Sequence, residues 1–289
     1  MLDKVMKFKN ESESKYLALT ISKSLDKGSA TKNILKSVLN DIRQTTGIKT
    51  LKHYTKEVLN TYVKSLQERL ENNELSKKTT ANYAMALNQI ARYLEDRTLQ
   101  VSAKEFELSV GHIDYTNKSA SLETHNKFVE FLNSKAIQDE RYKALAIAVE
   151  LTRAFGLRIR EAIGLTKDTI NKALATNTLH LTQHDGTKNS KPRDVPVEKD
   201  AQKAILKTAQ EYMKQNHTQH LFSEKEFTRT QSYRFAQKAV QDFKQQTGID
   251  YHYHKERHAY AHNRLKETDE STVAKELGHN RLEKTYVAK

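Results

Sequence analysis

Four short segments in the second half of the chain hold side chains that could act on a phosphoryl group. They are residues 155–161 (FGLRIRE), 186–193 (GTKNSKPR), 254–261 (HKERHAYA) and 277–279 (LGH), and Tyr286 follows the last of them. Taken singly, each has an ordinary interpretation: a surface arginine, a solvated loop lysine, a helix end at Leu-Gly. Together they supply cations, imidazoles and a hydroxyl, which are the groups that a metal-independent attack on a phosphodiester needs.

Arg158 and Arg257 are the candidates for holding the phosphate. A phosphodiester under in-line attack gains negative charge on its non-bridging oxygens, and a guanidinium offers paired N–H donors to such oxygens. Cations that are already in place where this charge develops stabilise the transition state. His279, and also His254, would add hydrogen bonds.

A lysine and a tyrosine could supply the proton donor and the nucleophile. The 186–193 loop holds Lys188 and Lys191, and an ammonium there could protonate a leaving 5′-oxygen. Tyr286 is the only tyrosine after His279. Its hydroxyl starts with a pKa of about 10, which nearby cations can lower, and it could attack phosphorus to form a phosphotyrosine ester.

Metal and cofactor chemistry finds little support. His254, His258 and His262 share a helix face, but Glu256 falls outside the His-Glu-x-x-His order of zinc proteases. The chain has no cysteine, which excludes disulfides, thiolate metal sites and cysteine nucleophiles. We therefore expect neither a metal nor a cofactor.

The composition favours a polyanionic partner. The formal charge is +13, divided as +6 over residues 1–120 and +7 over residues 121–289, so the excess is not confined to a tail. A basic, solvated surface is the simpler alternative. No stretch approaches the roughly 20 apolar residues of a membrane span, and the first residues lack the apolar centre of a signal peptide. We expect a soluble, cytoplasmic protein.

Helical periodicity dominates the elements that must position these residues. Apolar residues recur every three or four positions from Ile34 to Ile42, from Val58 to Leu70 and, after Ser76, from Tyr83 to Leu94. Residues 109–121 are polar and aperiodic, which indicates a linker. Helical patterns then cover residues 123–134, 139–155, 199–215, 230–247 and 254–266, and TLHLT (178–182) and DVPV (194–197) alternate like the strands of a β-hairpin.

In their order and approximate spacing, the four segments resemble the catalytic domain of the tyrosine recombinases, the phage integrase family. That domain carries an arginine in Gly-Leu-Arg-x-x-Glu, a lysine in a β-hairpin, His-x-x-Arg-His, Leu-Gly-His and a C-terminal tyrosine, and the match here runs over residues 122–286. The resemblance selects Lys188 rather than Lys191. It implies a catalytic set of Arg158, Lys188, His254, Arg257, His279 and Tyr286.

The resemblance also implies a fold and a function. The fold is mainly α with a small β-hairpin (α+β), divided into a helical DNA core-binding domain over residues 1–112 and a catalytic domain over residues 119–289. The N-terminal part matches only in the number and size of its helices. The implied activity is site-specific recombination, for example DNA integration by a mobile genetic element: a homotetramer on paired sites of double-stranded DNA cleaves and rejoins strands through a 3′-phosphotyrosine.

Two departures from the family pattern leave alternatives open. A gapless alignment places Ala288, not Tyr286, at the nucleophile position, so either two residues are deleted before Tyr286 or the nucleophile is missing. The chain also ends at Lys289, where family members usually continue into a tail that docks on the neighbouring subunit, so we expect a truncated chain or assembly through other contacts. Glu161 either supports the Arg158 region or lies on a helix surface.

Two other functions compete with recombination. One is a type IB topoisomerase-like relaxase, which would use the same pocket without strand exchange. The other is a catalytically disabled DNA-binding protein, if Tyr286 cannot reach the phosphate. Detection of a covalent protein–DNA adduct would separate the disabled DNA-binding protein from the two enzymes. Dependence of the products on two sites would separate the recombinase from the relaxase.

Overall fold

The computed structural model describes residues 7–102, 118–187, 191–222, 228–282 and 286. The chain divides into two compact units, Met1–Ile113 and Asp114–Lys289. Most of the predicted linker, residues 109–121, lies outside the described residues, as do Lys188 and Ala288.

The first unit is helical. Its described α-helices are α1 (Glu11–Ser24), α2 (Ser29–Thr46), α3 (Lys56–Glu71) and α4 (Lys77–Tyr93). The predictions for α2, α3 and α4 are confirmed. Gly47 ends α2 in the left-handed conformation at φ 74°, and the Ser76 side chain caps α4 by accepting a hydrogen bond from the Thr79 backbone N–H. Helix α1, whose N-cap is Asn10, was not predicted from the sequence.

One apolar stripe from each of these helices forms the core of the first unit. The stripes meet around fully buried side chains, among them Ile21, Leu39, Leu59, Leu66 and Leu87. A partly buried polar contact joins α2 to α3, because Asp41 accepts hydrogen bonds from the Tyr62 hydroxyl at 2.7 Å and from Arg69 at 2.8 Å.

The second unit is built around one central helix, α6 (Arg141–Phe155). Its described elements are α5 (Leu122–Lys135), α6 (Arg141–Phe155), α7 (Ile159–Gly164), α8 (Lys167–Thr176), β1 (Thr178–Leu181), β2 (Arg193–Pro196), α9 (Asp200–Gln215), α10 (Arg229–Thr247), α11 (His254–Arg264) and α12 (Glu270–Glu276). Helix α6 is apolar on nearly every side and packs against α5, α7, α9 and α11. The hydrophobic core of the second unit therefore extends to the end of α6, and Arg158 follows directly after this buried segment.

The predicted hairpin is confirmed. Strands β1 and β2 pair antiparallel, with Leu179 opposite Val195 and Leu181 opposite Arg193. Leu179, Leu181 and Val195 are fully buried on one face, as the alternating pattern requires. The short helices α7, α8 and α12 were not predicted from the sequence. No helix among the described residues is both long and apolar enough to cross a membrane.

Candidate active site

The site forms where the end of α6, the first turn of α11 and the end of α12 meet. Gly156 ends α6 with φ 60°, and a Cβ at this position would lie 2.4 Å from the Tyr260 ring of α11. Glycine is therefore required both for the left-handed conformation and for the close approach of the two helices. This approach brings Arg158, which follows α6, next to Arg257 of α11.

Arg158 is held by a buried carboxylate. The Glu161 side chain, which has no exposed surface, accepts hydrogen bonds from Arg158 Nη1 at 2.8 Å and from the Arg158 backbone N–H at 2.7 Å. Arg193 of β2 binds both oxygens of the same carboxylate, at 2.9 and 2.6 Å. Burial acts to raise the pKa of Glu161, but Arg193 and then Arg158 outweigh it and lower the pKa to about 2.

These contacts distinguish between the two interpretations of Glu161, which were support of the Arg158 region and a position on a helix surface. It does not lie on a helix surface: it fixes Arg158 at the start of α7 and ties that turn to the hairpin through Arg193. The Arg158 side chain keeps about a quarter of its surface exposed. A guanidinium that is fixed on one side and exposed on the other can accept an anion without reorganising.

Arg257 is fully buried and connects the end of α6 to the end of α12. Its two Nη atoms donate to the carbonyl oxygens of Gly156 and Leu277, and Nη2 also lies 3.2 Å from His279 Nε2. Burial, followed by the charge of Arg158, lowers the pKa of Arg257 to about 10, so the side chain remains a cation at neutral pH. The structure thus brings the two arginines together but exposes only Arg158.

Tyr286 lies inside this cluster despite its short spacing from His279. Its hydroxyl is 3.0 Å from His254 Nε2, and only 1% of the residue is exposed. Its ring stacks on His258, with centroids 4.1 Å apart and an interplanar angle of 20°. The rings of His254 and His279 approach it edge-on, at centroid distances of 5.9 and 5.5 Å. The deletion interpretation of the spacing is therefore compatible with a tyrosine in the site.

The three histidines around Tyr286 are neutral at neutral pH. Burial lowers the pKa of His254 and of His279 to about 4, with a further contribution from the charge of Arg257. Burial also lowers the pKa of His258 to about 3. A neutral imidazole has one donor and one acceptor nitrogen, so His254 Nε2 can accept the proton of the Tyr286 hydroxyl.

A cleft of about 760 Å³ opens beside these residues. Its walls come from four parts of the second unit: the turn after α6, the loop after β1, one face of α10 and the residues that lead into α11. In that order, the lining residues include Arg158 and Arg160; Gly186 and Thr187; Tyr233, Gln237 and Gln241; and His252 and His254. The Arg160 guanidinium lies 4.1 Å from the centroid of the Tyr233 ring, which orients a second cation at the cleft.

The predicted proton donor, Lys188, lies outside the described residues. The preceding residues, Gly186 and Thr187, line the cleft. Lys191, on the other side, places its Nζ 3.3 Å from the side-chain oxygen of Asn280. The described residues on the two sides of Lys188 thus lie at the wall of the cleft and beside Asn280.

Three residues in the cluster had no assigned role in the sequence analysis or were left undecided: Glu161, Arg193 and His258. The three-residue spacing from Arg158 to Glu161 was a signal for a local pair. Arg193 stands in register with Leu181 on the buried face of the hairpin, and a charged residue there needs a partner. Among the described residues, no three His, Cys, Asp or Glu side chains cluster as a metal site would require.

Comparisons with known proteins agree with this geometry. The model of the phage integrase family matches residues 121–288. The chain is similar in structure to the Tn1549 transposon integrase (TM-score 0.61, 14% identity, 91% of each chain covered) and to the XerH site-specific recombinase bound to a palindromic difH substrate (TM-score 0.63, 18% identity, 96% of this chain and 80% of that one).

Lambda integrase, in a tetramer bound to a Holliday junction, is similar to the same degree (TM-score 0.63, 13% identity, 99% of this chain and 78% of that one). No curated protein matches the chain by sequence. The family match covers more than half of the chain and contains every residue of the cluster described above. This chain belongs to the phage integrase family, the tyrosine recombinases.

Proposed function

We propose that this chain cleaves and rejoins double-stranded DNA at specific sites, with Tyr286 as the nucleophile. The observation that carries the proposal is the contact between the Tyr286 hydroxyl and His254 Nε2 at 3.0 Å. His254 also lines the cleft that exposes Arg158. The nucleophile and its proton acceptor thus lie beside the cation that would hold the phosphate.

The proposed step conserves atoms and charge. The Tyr286 oxygen attacks phosphorus while its proton passes to His254 Nε2, and the bond from phosphorus to the 5′-oxygen breaks. The 5′-oxygen takes a proton from Lys188 and leaves as a hydroxyl, and the DNA 3′-end remains as a phosphotyrosine ester. Arg158 stabilises the charge that develops on the non-bridging oxygens, and Arg257 adds its positive charge from behind. Attack by the 5′-hydroxyl of another strand reverses these events and joins the DNA.

The domain roles and the assembly are part of the same proposal. The helical domain predicted over residues 1–112 contacts the DNA backbone, and the domain predicted over residues 119–289 contains the reaction site; each carries a net positive charge. By analogy with the lambda integrase tetramer on a Holliday junction, four copies act on two paired sites.

The salt dependence of DNA binding tests whether both units contact the DNA backbone. If both units bind phosphates, DNA affinity should fall roughly thousandfold or more between 50 and 200 mM salt. An affinity that does not change with salt would contradict this.

Covalent capture from a random library tests the proposal and identifies the target sequence in the same experiment. Randomised duplexes, each carrying a nick that releases the short 5′-fragment, would be incubated with the protein. Adducts would then be recovered under denaturing conditions and sequenced. The wild-type protein should enrich one sequence, and Tyr286→Phe should enrich none. Plasmids carrying two copies of that sequence should recombine, whereas relaxation of plasmids with a single copy, without exchange, would favour the topoisomerase-like alternative.

A further inference from the structure

A buried carboxylate lies on the side of α11 that faces away from the cleft. Glu256 directly precedes Arg257 and has no exposed surface. A charged group without water is costly unless partners compensate it, so its contacts identify what the helix packs against. The ion-pair contacts of Glu256 lead to α5 and α6, and neither of them leads to the cleft.

Glu256 belongs to a network of four charged side chains. Arg153 Nη1 donates to Glu256 Oε2 at 2.6 Å, and His125 Nδ1 lies 3.2 Å from the same oxygen. The other ring nitrogen of His125 is 3.3 Å from Glu150. Burial acts to lower the pKa of His125, but the Glu150 and Glu256 carboxylates outweigh it and raise the pKa to about 9. His125 is therefore a cation at neutral pH.

The network joins the two helices on which the catalytic arginines depend. Arg153 is in the last turn of α6, three residues before Gly156, and the Gly156 carbonyl accepts a hydrogen bond from Arg257. Arg153 Nη1 also lies 3.3 Å from the Ala120 carbonyl, and the Ala120 N–H donates to the Lys255 carbonyl at 3.0 Å. Arg153 and Ala120 thus join three segments: the end of α6, the chain before α5 and the first turn of α11.

We propose that Glu256 is a positioning residue, which acts through Arg153 and His125 to set the first turn of α11 against the end of α6. The proposal rests on the proposed function, since its effect is to align Arg257 and His254 with the reacting groups. Without the Glu256 charge, Arg153 would lose its anionic partner on α11 and His125 would keep only Glu150, so the charged contacts that hold the first turn of α11 against α5 and α6 would be lost.

Neutral replacements would test this proposal by separating cleavage from DNA binding and from folding. Glu256→Gln should slow single-turnover cleavage at saturating DNA by on the order of a hundredfold, the loss expected from a misplacement of about 1 Å. DNA affinity should stay within about threefold, because no group of the network lines the cleft. All rates would be measured at a temperature where circular dichroism shows every variant to be folded. The control is Glu130→Gln on the exposed face of α5, which should match the wild type.

Two further readouts distinguish positioning from a general loss of stability. Arg153→Gln should slow cleavage as Glu256→Gln does, the double variant should lose less than the product of the two effects, and Arg153→Lys should recover part of the rate. The pKa of His125, measured by NMR titration, should fall in Glu256→Gln.

Specific outcomes would overturn the proposal. If the wild type cleaves and Glu256→Gln cleaves equally fast at full folding, or if cleavage and DNA affinity fall in proportion, the positioning role is wrong and the proposed function stands. An unchanged His125 pKa would refute the network itself. A wild-type protein that forms no covalent adduct would overturn both proposals.

Discussion

The buried Glu161 carboxylate connects the stability of the second unit to the geometry of the site. Replacing Glu161 by Gln keeps the shape of the side chain but removes its charge. Arg193, whose side chain is only 4% exposed, then loses its anionic partner, and Arg158 loses the group that fixes it. We expect Glu161→Gln to lower the free energy of unfolding of this unit strongly at neutral pH.

The size of the effect follows from the pKa of Glu161. A shift from 4.5 in the unfolded chain to about 2 in the folded chain corresponds to about 3 kcal/mol of stability. This agrees with the roughly 3–5 kcal/mol lost when one partner of a buried ion pair is removed. Because the pKa is lower in the folded chain, the contribution is complete well above pH 4.5 and is lost as the pH falls toward 2. About 1 kcal/mol of it should be gone at pH 4.

Urea unfolding at pH 7 and pH 4 would measure both quantities. Far-UV circular dichroism would follow the transitions, and hydrogen exchange of the peptide covering α6 would assign the transition of the second unit. Glu130→Gln, an exposed control, should stay within about 0.5 kcal/mol of the wild type. The reasoning is refuted if Glu161→Gln behaves like this control, or if its difference from the wild type does not narrow between pH 7 and pH 4.

Three further predictions concern the reaction. His258→Phe should retain cleavage to within about threefold, because a phenyl ring can stack on Tyr286, whereas His258→Ala should slow cleavage about tenfold; equal losses would indicate a role for the imidazole nitrogens instead. Lys188→Ala should slow cleavage strongly and be rescued by a 5′-bridging sulfur, whose thiolate leaves without a proton; rescue of Lys191→Ala alone would transfer the role to Lys191. Arg158→Ala should cost far more in cleavage rate than in DNA affinity, and equal losses would contradict its assignment.

The sequence predicted the parts of the fold that depend on simple periodicity. The stripe from Ile34 to Ile42 and the alternation in TLHLT became α2 and β1, because one face of each is buried in a core. Helix α1 was missed because its first turn is polar (ESES), so its apolar stripe begins only at Leu17. Helix α7 has six residues, too few for a period to be visible.

The sequence predicted some of the residues that the structure brings together in the candidate site, but not the contacts between them. The order of the motifs brought Arg158, Arg257 and His279 together as a set. It did not show that Arg257 is buried behind Arg158, because this depends on the close approach of α6 and α11 at Gly156. The partners of Glu256 were also hidden, since Arg153 and His125 lie more than a hundred residues away and no local pattern connects them.

Mass mapping of the covalent adduct tests the central claim most directly, because it identifies the nucleophile. Protein captured on the nicked substrate would be digested with a protease and a nuclease, and the peptide that carries the residual nucleotide would be sequenced. The account predicts a nucleotide on Tyr286 and no adduct with Tyr286→Phe. No adduct in the natural chain, together with cleavage gained by Ala288→Tyr, would contradict it and would place the missing nucleophile two residues later.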